Sequence, residues 1–226
     1  MLRISNDYQP LLRRPFSIHS VGGRRLRHKN RVEILYEVIG SGTKILSEKK
    51  PGEYIDILGP LGNGFSILDA RFSIIVAGGM GVAPLFFLAQ RLKERNALVL
   101  IGARTKEEIL SKKEFVNLGL DVKISTDDGS AGFRGKVTEL LRSILRINEQ
   151  TNQWTSEQII YACGPKPMLK EISIISRQYN IPAQICLDEY MACGLGICLG
   201  CMVKTTNGYQ AVCKDGPVFD SNIIKW

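Results

Sequence analysis

The sequence predicts a small antiparallel β module, followed by a doubly wound parallel α/β domain and a short cysteine-bearing C-terminal domain. Three observations predict it. The opening part reads as short strands punctuated by glycine and proline. Residues 72–77 form a continuous apolar run that empties into a glycine turn and a helix, after which strand and helix patterns alternate. The last four cysteines, finally, stand close together near the C-terminus.

A chain of 226 residues has room for modest domains of this kind, and the shifts of pattern divide it into 1–68, 69–187 and 188–226. With 44% hydrophobic and 23% charged residues it has the composition of an ordinary globular protein. No apolar run approaches the roughly 20 residues of a membrane span. The expectation is a cytoplasmic protein, in which six cysteines point to a metal or cofactor rather than to crosslinks. A net charge of +8 raises the question of nucleic acid. The densest basic patch, from Gly23 through Arg24, Arg25, Arg27, His28 and Lys29 to Arg31, lacks interleaved aromatics and lies between two strand-like segments. It reads as a solvated hairpin, with partner docking or an anionic cofactor as the alternative, and nucleic-acid binding is not expected.

In the first module, Arg14-Pro15-Phe16-Ser17-Ile18 is followed by the alternating stretch 32–38, a turn over Gly40-Ser41-Gly42-Thr43, and a further strand at 54–58 before Gly59-Pro60. Short strands with such punctuation suggest a small antiparallel barrel. The strand at 72–77 is apolar at every position, as burial on both faces requires, and leads into Gly78-Gly79-Met80-Gly81-Val82-Ala83-Pro84. The helix after it carries Leu85, Phe86, Leu88, Ala89 and Leu92 at helical spacing. A strand, a glycine turn and a helix N-terminus offer free backbone N–H groups to a pyrophosphate, although glycine turns also serve packing. Strands at 98–101, 122–125, 159–162 and 183–187, with helices at 137–145 and 168–179, complete a parallel sheet. Ligands of such sheets bind beyond the carboxyl ends of the strands. There the sequence places Arg104, which either meets the adenosine end of a cofactor or is a surface charge, and the loop Cys163-Gly164-Pro165. Cys163 and Cys186 read as small core residues rather than nucleophiles, and His19 and His28 are too isolated to act as ligands or bases.

Cys193, Cys198, Cys201 and Cys213 are spaced C-x4-C-x2-C-x11-C, the plant-type pattern of thiolates that holds a [2Fe–2S] cluster. The interspersed glycines allow a tight fold with N–H groups directed at sulfur. A structural zinc site is the alternative, but zinc ribbons usually use two C-x2-C-like knuckles where this chain has one. Disulfides would require export, and the N-terminal residues do not read as a signal peptide. Thr206-Asn207-Gly208 is a hairpin turn that lets Cys213 fold back onto the cluster.

Arg14-Pro15-Phe16-Ser17 resembles the RPxS flavin motif of the ferredoxin–NADP reductase superfamily, and Gly79-Met80-Gly81-Val82-Ala83-Pro84 with Cys163-Gly164-Pro165 resembles its nicotinamide half. The order of modules, the Met191-Ala192-Cys193-Gly194 stretch and the tail from Val212 to Phe219 are similar to the electron-transfer subunits of class 1B dihydroorotate dehydrogenases, over essentially the whole chain. The resemblance implies an FAD-binding barrel, an NAD-binding domain and a [2Fe–2S] domain. It implies that Arg14, Pro15, Phe16 and Ser17, then Leu35, Tyr36 and Glu37, then Gly42 and Thr43 contact FAD. Gly79, Gly81, Cys163, Gly164 and Pro165 would line the nicotinamide site, and the four cysteines would hold the cluster. The family often has a basic residue where this chain has Glu37, which leaves only a backbone contact there. Family members usually begin with further strands, so the barrel is expected to be N-terminally truncated or the start misplaced. The implied partner is an FMN-containing catalytic subunit that oxidises dihydroorotate in pyrimidine synthesis, in a heterotetramer of two of each, with electrons passing through the cluster and FAD to NAD+. A ferredoxin–NADP or sulfide reductase component, or a non-catalytic homologue that has lost FAD, are the alternatives.

Overall fold

The computed structural model describes residues 1–4, 10–22, 31–92, 96–151 and 157–226. The basic stretch therefore lies outside the described residues, apart from Arg31, which pairs with Glu33 at 2.8 Å.

The elements run β1 (Leu2–Arg3), β2 (Ile18–Val21), β3 (Val32–Ile34), α1 (Ser41–Ser47), β4 (Asp56–Ile57), β5 (Phe72–Gly78), α2 (Val82–Leu92), β6 (Asn96–Ala103), α3 (Lys112–Asn117), β7 (Asp121–Thr126), β8 (Phe133–Arg134), α4 (Val137–Thr151), β9 (Gln158–Cys163), α5 (Lys166–Gln178), β10 (Ala183–Cys186), β11 (Met202–Thr205), β12 (Gly208–Ala211) and β13 (Val218–Asp220). Among the described residues no helix is long and apolar enough to cross a membrane.

A seven-stranded sheet in the order β13-β10-β9-β5-β6-β7-β8 forms the centre. All its neighbours are parallel except β13, which runs antiparallel to β10. Alternation along β5 sorts the core. Ile74 and Val76 point to one face, where Leu140, Leu141 and Leu145 of α4 and Leu169, Ile172 and Ile175 of α5 cover them. Ile75 and Ala77 point to the other, against Leu85, Phe86 and Leu88 of α2 and Phe115 of α3. The period of two in a strand and the helices on both faces are one fact, because a strand buried on both sides needs a cover on each.

The first module is open. Its described strands form two two-stranded sheets, β1-β4 and β2-β3, and no closed barrel is present among the described residues. The Gly40–Thr43 turn is corrected by the structure: Gly40 precedes α1, and the chain becomes helical from Ser41. Glycine and serine read as a turn because they favour helix weakly. The helix forms because the Thr43 hydroxyl accepts the Ile39 and Gly40 N–H groups, at 3.0 and 3.1 Å, while Leu46 buries against Leu2 and Ile4. The strand read at 32–38 is likewise shorter, and beyond Ile34 the chain crosses toward the sheet, where Leu35 joins the α2 side of the core.

The module docks on α2 through β2. His19 is buried, stacks on Phe86 with ring centroids 4.7 Å apart, and sets its Nδ1 3.2 Å from the Ala83 carbonyl oxygen. Gln90 donates to the Ser20 hydroxyl at 3.0 Å.

The tail domain does not stand apart. After the β11-β12 hairpin the chain returns, and Val218, Phe219 and Asp220 pair with Cys186, Ile185 and Gln184 at the edge of the main sheet. Phe219 is 5% exposed and shares a core with Cys201, Val212, Cys213 and the α5 side of the sheet. Replacing Phe219 by Ala is expected to cost about 3–5 kcal/mol, read as a lower urea midpoint in far-UV circular dichroism. A loss below about 1 kcal/mol would mean that the tail is not part of the cooperative unit.

Candidate functional site

The carboxyl ends of β5, β6, β7 and β9 open onto one edge of the sheet, and the glycine turn lies there. Gly79 to Gly81 form a single 3-10 turn between β5 and α2. Its two predicted glycines have different reasons to be glycine. A Cβ at Gly81 would land on the carbonyl oxygen of Cys163 and lie 2.8 Å from the Gly164 nitrogen. At Gly78 it would lie 2.7 Å from the Met168 sulfur and 2.9 Å from Pro165 Cδ. Gly81 lets the turn pack backbone to backbone against the loop after β9, and Gly78 makes room for Met168 and Pro165. Gly79, by contrast, has φ of +53° and open space where a Cβ would go. It is the one position in the turn where the backbone faces a vacant approach, which suits a dinucleotide pyrophosphate.

Cys163, Gly164 and Pro165 follow on β9 and lead into α5. Cys163 is in register with Cys186 of β10. A hydrogen bond with Cys186, and then burial, push the Cys163 thiol well above the usual range, so it is a neutral thiol and not an activated nucleophile.

Beyond β6, Arg104 is exposed and one edge of its guanidinium is paired with Glu108: Nε donates to Oε2 at 2.9 Å and Nη2 lies 2.8 Å from Oε1. Glu108 first, then Glu37 and Asp127, hold this guanidinium more firmly protonated than usual. The loops after β6 and β7 are tied together, with Asp128 N–H donating to the Arg104 carbonyl at 3.2 Å and Lys106 N–H to the Ser130 hydroxyl at 2.8 Å.

In the first module the three predicted flavin segments converge. Arg14 exchanges backbone hydrogen bonds of 2.8 and 2.9 Å with Leu2. Phe16 and Tyr36 meet edge to face at 5.7 Å. Gly42 is buried, and a Cβ there would touch the Arg14 side chain at 3.5 Å, so the 14–17 and 42–43 segments lie side by side. Ser17 and Thr43 belong to these same segments; Thr43 spends its hydroxyl on the start of α1.

The cysteine loop wraps its sulfurs in backbone donors. The N–H groups of Leu195 and Ile197 reach Cys193 Sγ at 3.4 Å and that of Cys198 at 3.5 Å. Gly196 N–H donates to Cys213 Sγ at 3.2 Å, and Cys213 N–H to Cys201 Sγ at 3.4 Å. Positive φ at Gly194 (+71°), Gly196 (+78°) and Leu199 (+58°) turns these donors inward. The donors lower the Cys193 thiol to about 6, whereas burial and the adjacent Cys201 raise Cys213 to about 11. The contacts sort the sulfurs into two pairs, Cys193 with Cys198 and Cys201 with Cys213. Among the described residues no three ligand-type side chains converge on one point for a single ion. Two pairs suit a two-iron cluster, with two thiolates on each iron and N–H groups on the sulfurs, and the donor set fits that group.

Known proteins match the chain in the same two regions. Residues 188–225 match the iron-sulfur cluster binding domain of dihydroorotate dehydrogenase B, and residues 75–173 the oxidoreductase NAD-binding domain. A solved structure described as "Insights into flavin-based electron bifurcation via the NADH-dependent reduced ferredoxin-NADP oxidoreductase structure" superposes with a TM-score of 0.79 at 29% identity, over 95% of this chain and 75% of that one. Fold and matches together define an oxidoreductase component with a ferredoxin–NADP reductase-like fold, a nicotinamide-binding domain and an iron–sulfur-binding domain. The Desulforamulus reducens protein named "Dihydroorotate dehydrogenase B (NAD(+)), electron transfer subunit" is 40% identical over 232 residues, which span 100% of this chain and 84% of that protein. Its namesake from Caldanaerobacter subterraneus subsp. tengcongensis is 40% identical over 222 residues, 96% of this chain and 83% of the relative. The chain belongs to this family of electron transfer subunits.

The two glycines of the turn separate by substitution. Gly81→Ala forces a Cβ onto a backbone carbonyl and is expected to cost about 2–3 kcal/mol, while Gly79→Ala meets only the left-handed backbone penalty of about 1 kcal/mol. Urea unfolding measures both, and equal losses would contradict the packing role of Gly81.

Proposed function

We propose that the chain passes electrons between a [2Fe–2S] cluster, FAD and NAD(H), and that it couples dihydroorotate oxidation by an FMN-containing partner subunit to NAD+ reduction in pyrimidine synthesis. The observation that carries the reading is the pairing of two sulfur-bearing arms around a ring of N–H donors in the same fold as a nicotinamide edge. When bound, the flavin exchanges a hydride, two electrons and a proton, with nicotinamide and single electrons with the cluster, which the partner oxidises or reduces one electron at a time.

The chain's own residues do the placing. Arg14, Pro15, Phe16 and Ser17 with Leu35, Tyr36, Gly42 and Thr43 hold the flavin in a module spanning 1–68; Glu37, which offers the flavin phosphates no positive charge, contributes backbone only. In the domain 69–187, Gly79 receives the pyrophosphate, Gly81 keeps the turn against Cys163, Gly164 and Pro165, and the neutral Cys163 thiol offers the nicotinamide an uncharged wall. In the domain 188–226, Cys193, Cys198, Cys201 and Cys213 ligate the cluster. Leu195, Ile197 and Leu199 are 49%, 75% and 64% exposed beside Cys198, an apolar collar that supports docking of the partner over the cluster. A heterotetramer of two of each subunit in the cytoplasm is the assembly this reading adopts.

A ferredoxin–NADP or sulfide reductase component is the second reading, and the surroundings of Arg104 weigh against it. Its guanidinium already pairs with Glu108, with Glu37 and Asp127 adding to an acidic surround that weighs against a 2′-phosphate.

Anaerobically purified protein should show flavin and [2Fe–2S] bands that both bleach with NADH and do so at least about tenfold less efficiently with NADPH, a difference of about 1.4 kcal/mol in binding. Equal use of NADPH would favour the second reading, and a spectrum without flavin would favour the non-catalytic one. Cys198→Ser, at an exposed position, should abolish the cluster absorption and bound iron with little loss of fold stability. The complex with the partner should reduce NAD+ with dihydroorotate, and its failure to do so would overturn the assignment of substrate.

A further inference from the structure

The segment between β4 and β5, residues 58–71, is more than a connection. It lies where all three modules meet. On one side Ser66 forms a paired amide contact with Gln184 of β10: its N–H donates to Oε1 and its carbonyl accepts from Nε2, both at 2.9 Å. The Tyr161 hydroxyl of β9 donates to the same Ser66 carbonyl at 3.1 Å and accepts the Leu68 N–H at 3.3 Å, with Phe65 packed edge-on against the Tyr161 ring at 5.7 Å. This half of the segment is thereby fixed to the nicotinamide sheet.

The other half is fixed to the cluster loop, and Asn63 does it. Its side-chain amide donates to the carbonyls of Lys214 and Asp215, at 3.0 and 3.2 Å, one and two residues after the ligand Cys213. Its backbone N–H donates to the Gly216 carbonyl, its carbonyl accepts the Val218 N–H at 3.2 Å, and the pair forms a parallel bridge with Pro217. The approach is close enough that a Cβ at neighbouring Gly62 would strike the Gly216 carbonyl oxygen, and one at Gly194 would lie 3.0 Å from Leu61 Cδ1. Four hydrogen bonds made by one residue thus hold the stretch that immediately follows the fourth cysteine, and the same residue is six positions beyond the end of β4.

We infer that Asn63 is the positioning residue for electron transfer between the flavin module and the cluster. The inference rests on the electron path proposed above. Asn63 touches neither cofactor; it fixes where the Cys213 turn stands relative to the chain leaving the flavin module. Such spacing matters because the rate of a single-electron step falls steeply as the two centres move apart. The single electron passed from flavin to cluster reduces the cluster as it oxidises the flavin, so only the separation and orientation of the two are at stake, not their chemistry.

The test uses the whole chain carrying FAD and cluster, with Asn63→Ala and the isosteric Asn63→Asp, which keeps the side-chain volume but loses both amide donors. Under rapid mixing with NADH, flavin bleaching should proceed within about twofold of the unsubstituted rate, while cluster bleaching slows by about tenfold or more. The electron paramagnetic resonance spectrum of the reduced cluster and the iron content should not change. Independently of any turnover, hydrogen–deuterium exchange should accelerate at residues 214–218 in both variants. Unchanged cluster bleaching, equal slowing of both phases, or loss or spectral alteration of the cluster would each overturn the positioning role. Absence of NADH-driven bleaching in the unsubstituted protein would instead overturn the electron path, and exchange at 214–218 would still report whether Asn63 holds the turn.

Discussion

Three residues of antiparallel pairing at one sheet edge decide where the cysteine loop stands. Because Val218, Phe219 and Asp220 hydrogen-bond to β10, the tail is an extension of the nicotinamide sheet rather than a bead on a string. Each ladder bond contributes only about 1 kcal/mol net, but Phe219 brings the tail into the apolar layer beneath α4 and α5, and burial of that ring is worth roughly 2–3 kcal/mol more. The cysteines inherit this rigidity. Cys201 and Cys213 belong to the same buried cluster as Phe219, so half of the four cysteines are anchored in the core while Cys198 is left at the surface.

That asymmetry suits a centre that must be held firmly and yet reached from outside. A thiolate set buried on all sides would be isolated from a partner, and one wholly on a loop would lose the distances on which transfer depends. Here buried Cys213 lies beside the segment that leads back to the first module, while Cys193 is half-buried and Cys198 faces out beside an apolar collar. The backbone N–H groups around Cys193 do the electrostatic part, since they favour the anionic sulfur without adding a charged side chain to the surface. At the sheet edge Gly81 brings two loops into backbone contact while Gly79 is left as an open position, and Glu108 pairs with the exposed Arg104.

Much of this was legible in the chain itself, and the reason is range. The apolar run at 72–77, the helical spacing from Leu85 to Leu92, and the C-x4-C-x2-C-x11-C pattern are local features, set by the periods of strand and helix and by the reach of a loop between ligands. Their structural counterparts, β5, α2 and the cysteine loop with its β11-β12 hairpin, fall where those periods place them. The local signals failed where composition and tertiary contact disagreed. Gly40-Ser41-Gly42 has the composition of a turn, yet α1 begins there because Leu46 finds an apolar partner in residues more than forty positions earlier. His19, isolated in sequence, is buried against α2 through contacts 64 residues away.

The sequence by itself determined the order of the modules, the parallel sheet with helices on both faces, and the spacing of the four C-terminal cysteines, because periodicity and short spacings survive without knowledge of what packs against what. Only the tertiary structure decided that Gly81 serves packing while Gly79 faces open space, that Arg104 is committed to Glu108, that the tail closes the sheet through β13, and that Asn63 clamps the turn after Cys213. Each of these is a contact or a vacancy created by segments brought together from different parts of the chain or by the exact path of a loop, and hydrogen-bond geometry and steric fit of that kind leave no periodic trace in the residues that make them.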